Sequence, residues 1–315
     1  MPISHSFRYD FNAPHELVGQ TVGDRYLVRA LIKRGEVASV FAADDVRGSR
    51  QVAVKVASIS ALVRRTGQHV ADIVEQFELA AWHARRLQNE YTVPLIDSGR
   101  TNTFLFVVAA LLPGENLKTV LVREGRLDPL RALRFASHVV ASLDETHTHG
   151  WVHGDVRPST VFVHRDLQGG EVAMMMDHGI GRMMAQPLAV QLTVTGRASG
   201  MPDYLSPEQC LGKPTTRQCD FYGLGVLLFE MLCGTVPFRG RSQLWVMQQH
   251  VGTQAPRVSD VNPRLARYPG VDAVVDTCLA KAPEARFSSS RRLLAALNVA
   301  IEEYLGTRGR ATETS

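Results

Sequence analysis

A chain of 315 residues, 45% hydrophobic and 21% charged, is long and apolar enough to bury a sizeable core. Its net charge of +4 is scattered, with no basic stripe interleaved with aromatics, which argues against a nucleic-acid surface. Cys210, Cys219, Cys233 and Cys278 have neither C-x-x-C nor zinc spacing, and no segment has the apolar length of a signal peptide or membrane span, so free or buried thiols and a cytoplasmic location are expected.

Residues 1–20 lack periodicity and read as an N-terminal extension. From Tyr26 the segments YLVRALI, VASVFAA and QVAVKVA alternate as strands do; in the last, Val52, Val54 and Val56 share one face, Ala53 and Lys55 the other. Residues 69–88 have the spacing of an amphipathic helix, and Thr103 to Leu112 reads as a buried strand ending at the turn signal Pro113-Gly114. After Pro129 helical periods dominate: LRALRFASHVVASLDETH, DFYGLGVLLFEMLCG, SQLWVMQQHV, VDAVVDTCLAK and SRRLLAALNVAIEEYL. A strand-rich front and a helix-rich back predict an α+β chain of two lobes with a cleft between them.

Two triplets compete for one role. His164-Arg165-Asp166 looks intact but is followed by Gln168 and Glu171; His153-Gly154-Asp155 looks damaged but is followed by Arg157, Pro158 and Thr160. The first sits just before Gly169-Gly170 and reads as a solvated turn. Lys55 on the third predicted strand, Asp155 after a long helix, Asp177-His178-Gly179, Ser206-Pro207-Glu208, Asp220 and Arg286 after Pro283 then stand in an order that resembles the eukaryotic-type (Hanks-type) protein kinase family, most closely its bacterial Ser/Thr branch. The resemblance covers roughly Val22 to Leu305. It implies a bilobal kinase fold over residues 21–305, with an N-lobe of about 21–112, a C-lobe of about 113–305 and a polar tail at 306–315.

The resemblance implies the following roles. Asp155 is the base that orients a substrate hydroxyl, with Arg157 in place of a lysine at the γ-phosphate. Ile32, Gly35, Val40, Ala53, Lys55, Ala109, Ala110, Leu111 and Phe162 line the nucleotide, Ala109 closing the pocket behind adenine. Asp177 and Thr160 take the two metal-ligand positions. Thr193, Thr195 and Ser199 belong to the activation segment, and Glu208, Asp220 and Arg286 to the scaffold.

The departures are many. Only Gly35 of three loop glycines remains, and Glu36 brings negative charge toward phosphates. Ala80 stands where a glutamate should pair with Lys55, and Glu78 lies roughly 200° around the helix. Thr160 replaces an asparagine, His178 a phenylalanine, Met201 a threonine, and Gly154 the arginine that pairs with a phosphorylated activation loop. The expected protein is a pseudokinase whose transfer is lost or very weak, with weak or absent ATP and Mg binding, acting on protein partners and neither nucleic acid nor membrane. The alternative is an active Ser/Thr kinase with an atypical metal site. A small-molecule phosphotransferase is disfavoured by the retained Ser206-Pro207-Glu208 and Asp220.

Overall fold

Val52, Val54 and Val56 are fully buried while Ala53 and Lys55 are half-buried, as the alternation in QVAVKVA requires. Each such valine contributes about 1.5–3 kcal/mol by leaving water. The computed structural model describes residues 14–180 and 202–312, with side chains through residue 306. It contains two compact units: one comprises residues 14–88 and 93–113, the other residues 89–92, 114–180 and 202–312.

The first unit is a six-stranded sheet of antiparallel pairs in the order β1-β2-β3-β4-β6-β5. Its strands are β1 (Thr21–Val22), β2 (Tyr26–Arg34), β3 (Ala38–Asp45), β4 (Arg50–Ser58), β5 (Leu95–Arg100) and β6 (Phe104–Ala110). The two-residue β1 makes Lys55 a residue of the fourth strand. Helix α1 (Ile59–Thr66), which the periodicity did not reveal, starts where the Ser58 hydroxyl accepts from the Ala61 N–H at 3.2 Å, and it stops at Gly67 in a left-handed conformation. Helix α2 (Val70–Ala84) ends before the expected residue 88 and buries Ile73, Phe77, Ala80, Ala81 and Ala84.

The second unit carries a three-stranded sheet, β7 (Glu115–Asn116), β8 (Val161–Arg165) and β9 (Glu171–Met175), among helices. These are α3 (Leu117–Glu124), α4 (Pro129–Thr148), α5 (Pro207–Cys210), α6 (Arg217–Cys233), α7 (Gln243–Gly252), α8 (Val258–Val261), α9 (Pro269–Cys278) and α10 (Ser290–Thr312). Asp128 caps α4 by accepting from Leu130 N, and Pro129 fits the first helical position. Helix α6 is apolar on every side, from Phe221 and Leu224 to Leu228 and Leu232, and forms the centre of this unit's core. Helices α4 and α9 lay amphipathic faces against it. No described helix is long and apolar enough to cross a membrane.

Candidate active site

The loop after α4 is built on one carboxylate. Asp220 accepts the backbone N–H of His153 at 3.0 Å on Oδ2 and that of Gly154 at 2.7 Å on Oδ1. His147 Nε2 donates to the same Oδ2 at 2.8 Å. Asp220 is 1% exposed, so these donors supply the charge stabilisation that water cannot. It sits inside the first turn of α6, with Thr216 preceding the helix; it holds the loop rather than capping its own helix.

His153 fixes the next link. Its Nε2–H donates to the Met176 carbonyl at 3.0 Å, leaving Nδ1 to accept from Asp155 N at 3.2 Å. Gly154 takes φ of +75°, a left-handed backbone where a side chain is strained. Asp155 follows. Arg157 Nε lies 2.8 Å from Asp155 Oδ1 as an ion pair without an aligned hydrogen bond. Asp155 Oδ2 is buried with no hydrogen-bond partner among the described residues. Burial pushes the Asp155 carboxyl above its ordinary range, against the opposing pull of Arg157 and His153. A buried acceptor left open is what a base waiting for a hydroxyl proton presents.

Thr160 closes the loop. Its hydroxyl reaches the carbonyl oxygens of Asp155 at 2.8 Å and Arg157 at 2.9 Å, and accepts from Arg157 N at 3.2 Å. The side chain is thus committed to backbone. Asp177 stands after β9 with φ of +65°, and the buried ring of His178 turns to hydroxyls of α4: Nδ1 is 2.9 Å from Thr146 Oγ1 and Nε2 is 3.3 Å from Ser142 Oγ. Phe162 on β8 is half-buried and pairs with Met174 of β9.

Glu208 and Arg286 form a buried bidentate pair, Nη1 to Oε1 at 2.6 Å and Nη2 to Oε2 at 2.9 Å. Arg286 also donates to the carbonyls of Ala280, Lys281 and Gln218. Burial alone would raise the Glu208 carboxyl, yet the bonds from Arg286 hold it below its ordinary value. Gln209 forms a capping box with Ser206, and its remaining amide Nε2 donates to the Gly154 carbonyl at 3.0 Å. The box is legible as Ser206-Pro207-Glu208-Gln209; the reach to Gly154 is not. A 510 Å³ cavity beside Arg157 and Pro158 is also lined by Lys118, Tyr204 and Glu230. Tyr204 donates to Glu230 at 2.6 Å, and burial raises the Glu230 carboxyl despite that bond.

In the first unit, register places Val40 opposite Lys55 and Lys55 opposite Val107; the adjacent row holds Ala42, Ala53 and Ala109. Val40, Ala53, Lys55 and Ala109 therefore share one sheet face. Ala110 pairs with Val52 and presents its side chain to the opposite face, and its N–H donates to the Pro94 carbonyl at 3.2 Å. Ile32 is half exposed, Gly35 lies in the turn from β2 to β3, and Leu111 follows β6. Glu78 is exposed and pairs with Arg100 at 3.2 Å, while Ala80 is buried among the apolar residues of α2.

A family model described as the protein kinase domain matches residues 26–297. The chain belongs to the protein kinase family. Its relatives place it in the bacterial Ser/Thr branch, and the fold is the bilobal α+β kinase fold. The chain is 33% identical over 288 residues to serine/threonine-protein kinase PknD of Mycobacterium tuberculosis, covering 90% of this chain and 40% of that protein. It is 32% identical over 279 residues to serine/threonine-protein kinase PknL of Mycobacterium bovis, 89% of this chain and 66% of that protein. With serine/threonine-protein kinase PrkC of Bacillus subtilis it shares 27% over 286 residues, 91% of this chain and 42% of that protein. The kinase domain thus spans under half the length of PknD and PrkC.

Kinases of this family use ATP and Mg²⁺, and the residues present fit one metal better than two. No described group of three or more His, Cys, Asp or Glu forms a metal cluster. Asp177 is the carboxylate that would hold a single Mg²⁺. Thr160, the other residue expected to hold metal, has its hydroxyl engaged on both donor and acceptor sides. The second triplet of this kinase domain is a hairpin turn: Asp166 Oδ1 accepts from Gln168 N at 2.9 Å and Gly170 N at 2.7 Å. Thr193, Thr195, Ser199 and Met201 lie outside the described residues.

Proposed function

We propose that this kinase domain acts by binding a protein partner, with nucleotide and a single Mg²⁺ held weakly and phosphoryl transfer lost or reduced to a trace. The observation that carries the reading is the Thr160 hydroxyl, spent on the Asp155 and Arg157 backbone where a second metal would need an oxygen. Transfer of a γ-phosphoryl group depends on positioning and on metal neutralisation of charge. Loss of one such contact costs on the order of 10²–10³ in rate. Glu78 engaged with Arg100 supports the same reading, because it leaves the glutamate position at Ala80 unreplaced from that side. In this reading Lys55 and the face it shares with Val40, Ala53 and Ala109 receive the nucleotide, Asp177 holds the metal, and the site of action is the cytoplasm.

A second reading is a slow Ser/Thr kinase. It is favoured by Asp155 Oδ2, buried and open among the described residues, and by relatives that are serine/threonine-protein kinases. One assay separates the two: transfer of the γ-phosphate of ATP to the protein itself or to a generic protein substrate, beside an Asp155→Asn control. The expected result is no transfer above the control. Transfer that disappears in Asp155→Asn overturns the binding-only reading.

A further inference from the structure

Asp177 is one of three non-glycine residues with positive φ among the described residues, a conformation that costs about 1–2 kcal/mol and persists where the surroundings impose it. Its neighbours are held on both sides. Upstream, Met175 N donates to Tyr91 O at 2.8 Å and Met176 N to Thr160 O at 3.0 Å. Downstream, the indole of Trp151 occupies the space a side chain at 179 would need, with Nε1 only 2.3 Å from where a Cβ would sit on Gly179.

Between these lies His178, 3% exposed, at the centre of a buried polar chain. Thr92 Oγ1 is 2.6 Å from Ser142 Oγ, Ser142 Oγ is 3.3 Å from His178 Nε2, His178 Nδ1 is 2.9 Å from Thr146 Oγ1, and Thr146 Oγ1 is 3.2 Å from Ser142 O. With the ring proton on Nδ1, these contacts run in one direction: Thr92 donates to Ser142, Ser142 to Nε2, Nδ1–H to Thr146, and Thr146 to the Ser142 carbonyl. Ser142 and Thr146 are one turn apart on α4 and wholly buried, so the ring is gripped by a rigid element. A phenylalanine at 178 could fill this space but could not be oriented by hydroxyls.

We propose that His178, Ser142 and Thr146 are positioning residues that lock the strained backbone of Asp177 and thereby aim its carboxylate at the nucleotide's metal. The inference rests on the reading of Asp177 as the metal-holding residue. Substitution of groups that orient a metal ligand typically lowers metal affinity about 10–100-fold.

The test is calorimetric titration of the full chain with ATP, with and without MgCl₂, in wild type, Thr146→Val, Thr146→Ser and Asp177→Asn, each first shown to melt cooperatively. The quantity read is the gain in ATP affinity that Mg²⁺ confers. Thr146→Val is expected to reduce this gain about tenfold or abolish it, with metal-free affinity constant within about twofold. Thr146→Ser, which keeps the hydroxyl, is expected to retain the gain. If Thr146→Val does not fold, Ser142→Ala, which removes one bond to the ring, is titrated in its place. A gain lost in Asp177→Asn but kept in Thr146→Val (or its substitute) overturns the inference alone. No gain in wild type, or a gain that survives Asp177→Asn, overturns the metal reading of Asp177 and the inference with it.

Discussion

The Thr160 hydroxyl lies 2.8 Å from the Asp155 carbonyl oxygen, so the residue read as a metal ligand is bound to the backbone of the residue read as the base. Thr160→Asn places a carbonyl oxygen on a longer arm. The expected outcome is a rise of about tenfold in Mg²⁺-dependent ATP affinity, about 1.4 kcal/mol, with metal-free affinity unmoved. Thr160→Val should instead destabilise the fold by about 1–3 kcal/mol, because Arg157 N loses its acceptor. Nucleotide titration and thermal melts check both; equal ATP affinities in Thr160→Asn and wild type would remove the hydroxyl from the explanation.

Gly154 combines a positive φ with a carbonyl held by Gln209. Gly154→Arg, which writes the family arginine back, is expected to lose about 1–2 kcal/mol of stability from the left-handed backbone. With glycine at 154, a negative charge on the activation segment has no arginine there to pair with. Thr193→Glu/Thr195→Glu is expected to leave phosphotransfer at the level of the Asp155→Asn control. A phosphotransfer rate that climbs in the glutamate variant identifies a different cationic partner.

Ala109 shares a cross-strand row with Ala53 and Leu95, and its methyl leaves space on that face. Ala109→Met should lower affinity for bulky adenine-site inhibitors at least about tenfold, about 1.4 kcal/mol, and leave small ones unaffected. Competition binding with a small and a bulky inhibitor decides it; a parallel change in both places Ala109 elsewhere.

Glu208 and Arg286 are buried together, and removing one partner strands the other. Arg286→Met is expected to destabilise the domain by about 3–5 kcal/mol. The folded Glu208 carboxyl is held below its ordinary value of 4.5. Its contribution is therefore present above that pH and is lost as pH falls through the folded value. Chemical denaturation of Glu208→Gln should show a lower stability at neutral pH and a shallower loss below pH 4.5 than wild type.

His250 is fully buried, accepts from the Tyr222 hydroxyl at 2.9 Å on Nδ1, and lies near Lys281, whose Nζ donates to the His250 carbonyl at 2.8 Å. Burial, and secondarily Lys281, holds its imidazole down to about 3. The unfolded chain takes up a proton near pH 6.5 that the folded chain refuses, so stability falls as pH drops from 6.5 toward 3, by about 1.4 kcal/mol per unit for this one group. His250→Gln should flatten that slope in denaturation curves measured from pH 7 to 5. An unchanged slope assigns the acid sensitivity to other groups.

The alternation in VASVFAA and QVAVKVA and the periods of five helices were enough to specify the two-part α+β chain, because burying one face writes a repeat of fixed length into the sequence. The order of Lys55, Asp155, Asp177, Glu208, Asp220 and Arg286 likewise identified the family, and the turn residues Gly169-Gly170 separated the ornamental Asp166 from Asp155. Helix α1 left no such mark: it is short, and Ser58 caps it directly from the end of a strand. Tertiary structure alone decided what the replacement residues do. A threonine at 160 reads the same whether its hydroxyl faces a metal or the Asp155 carbonyl, since a single rotation about its side chain separates the two. The role of His178 depends on Ser142 and Thr146, more than thirty positions away and brought beside it only when α4 packs against β9. Ala110, adjacent to Ala109 in sequence, falls on the other face because both lie within β6, where the pleat alternates successive side chains.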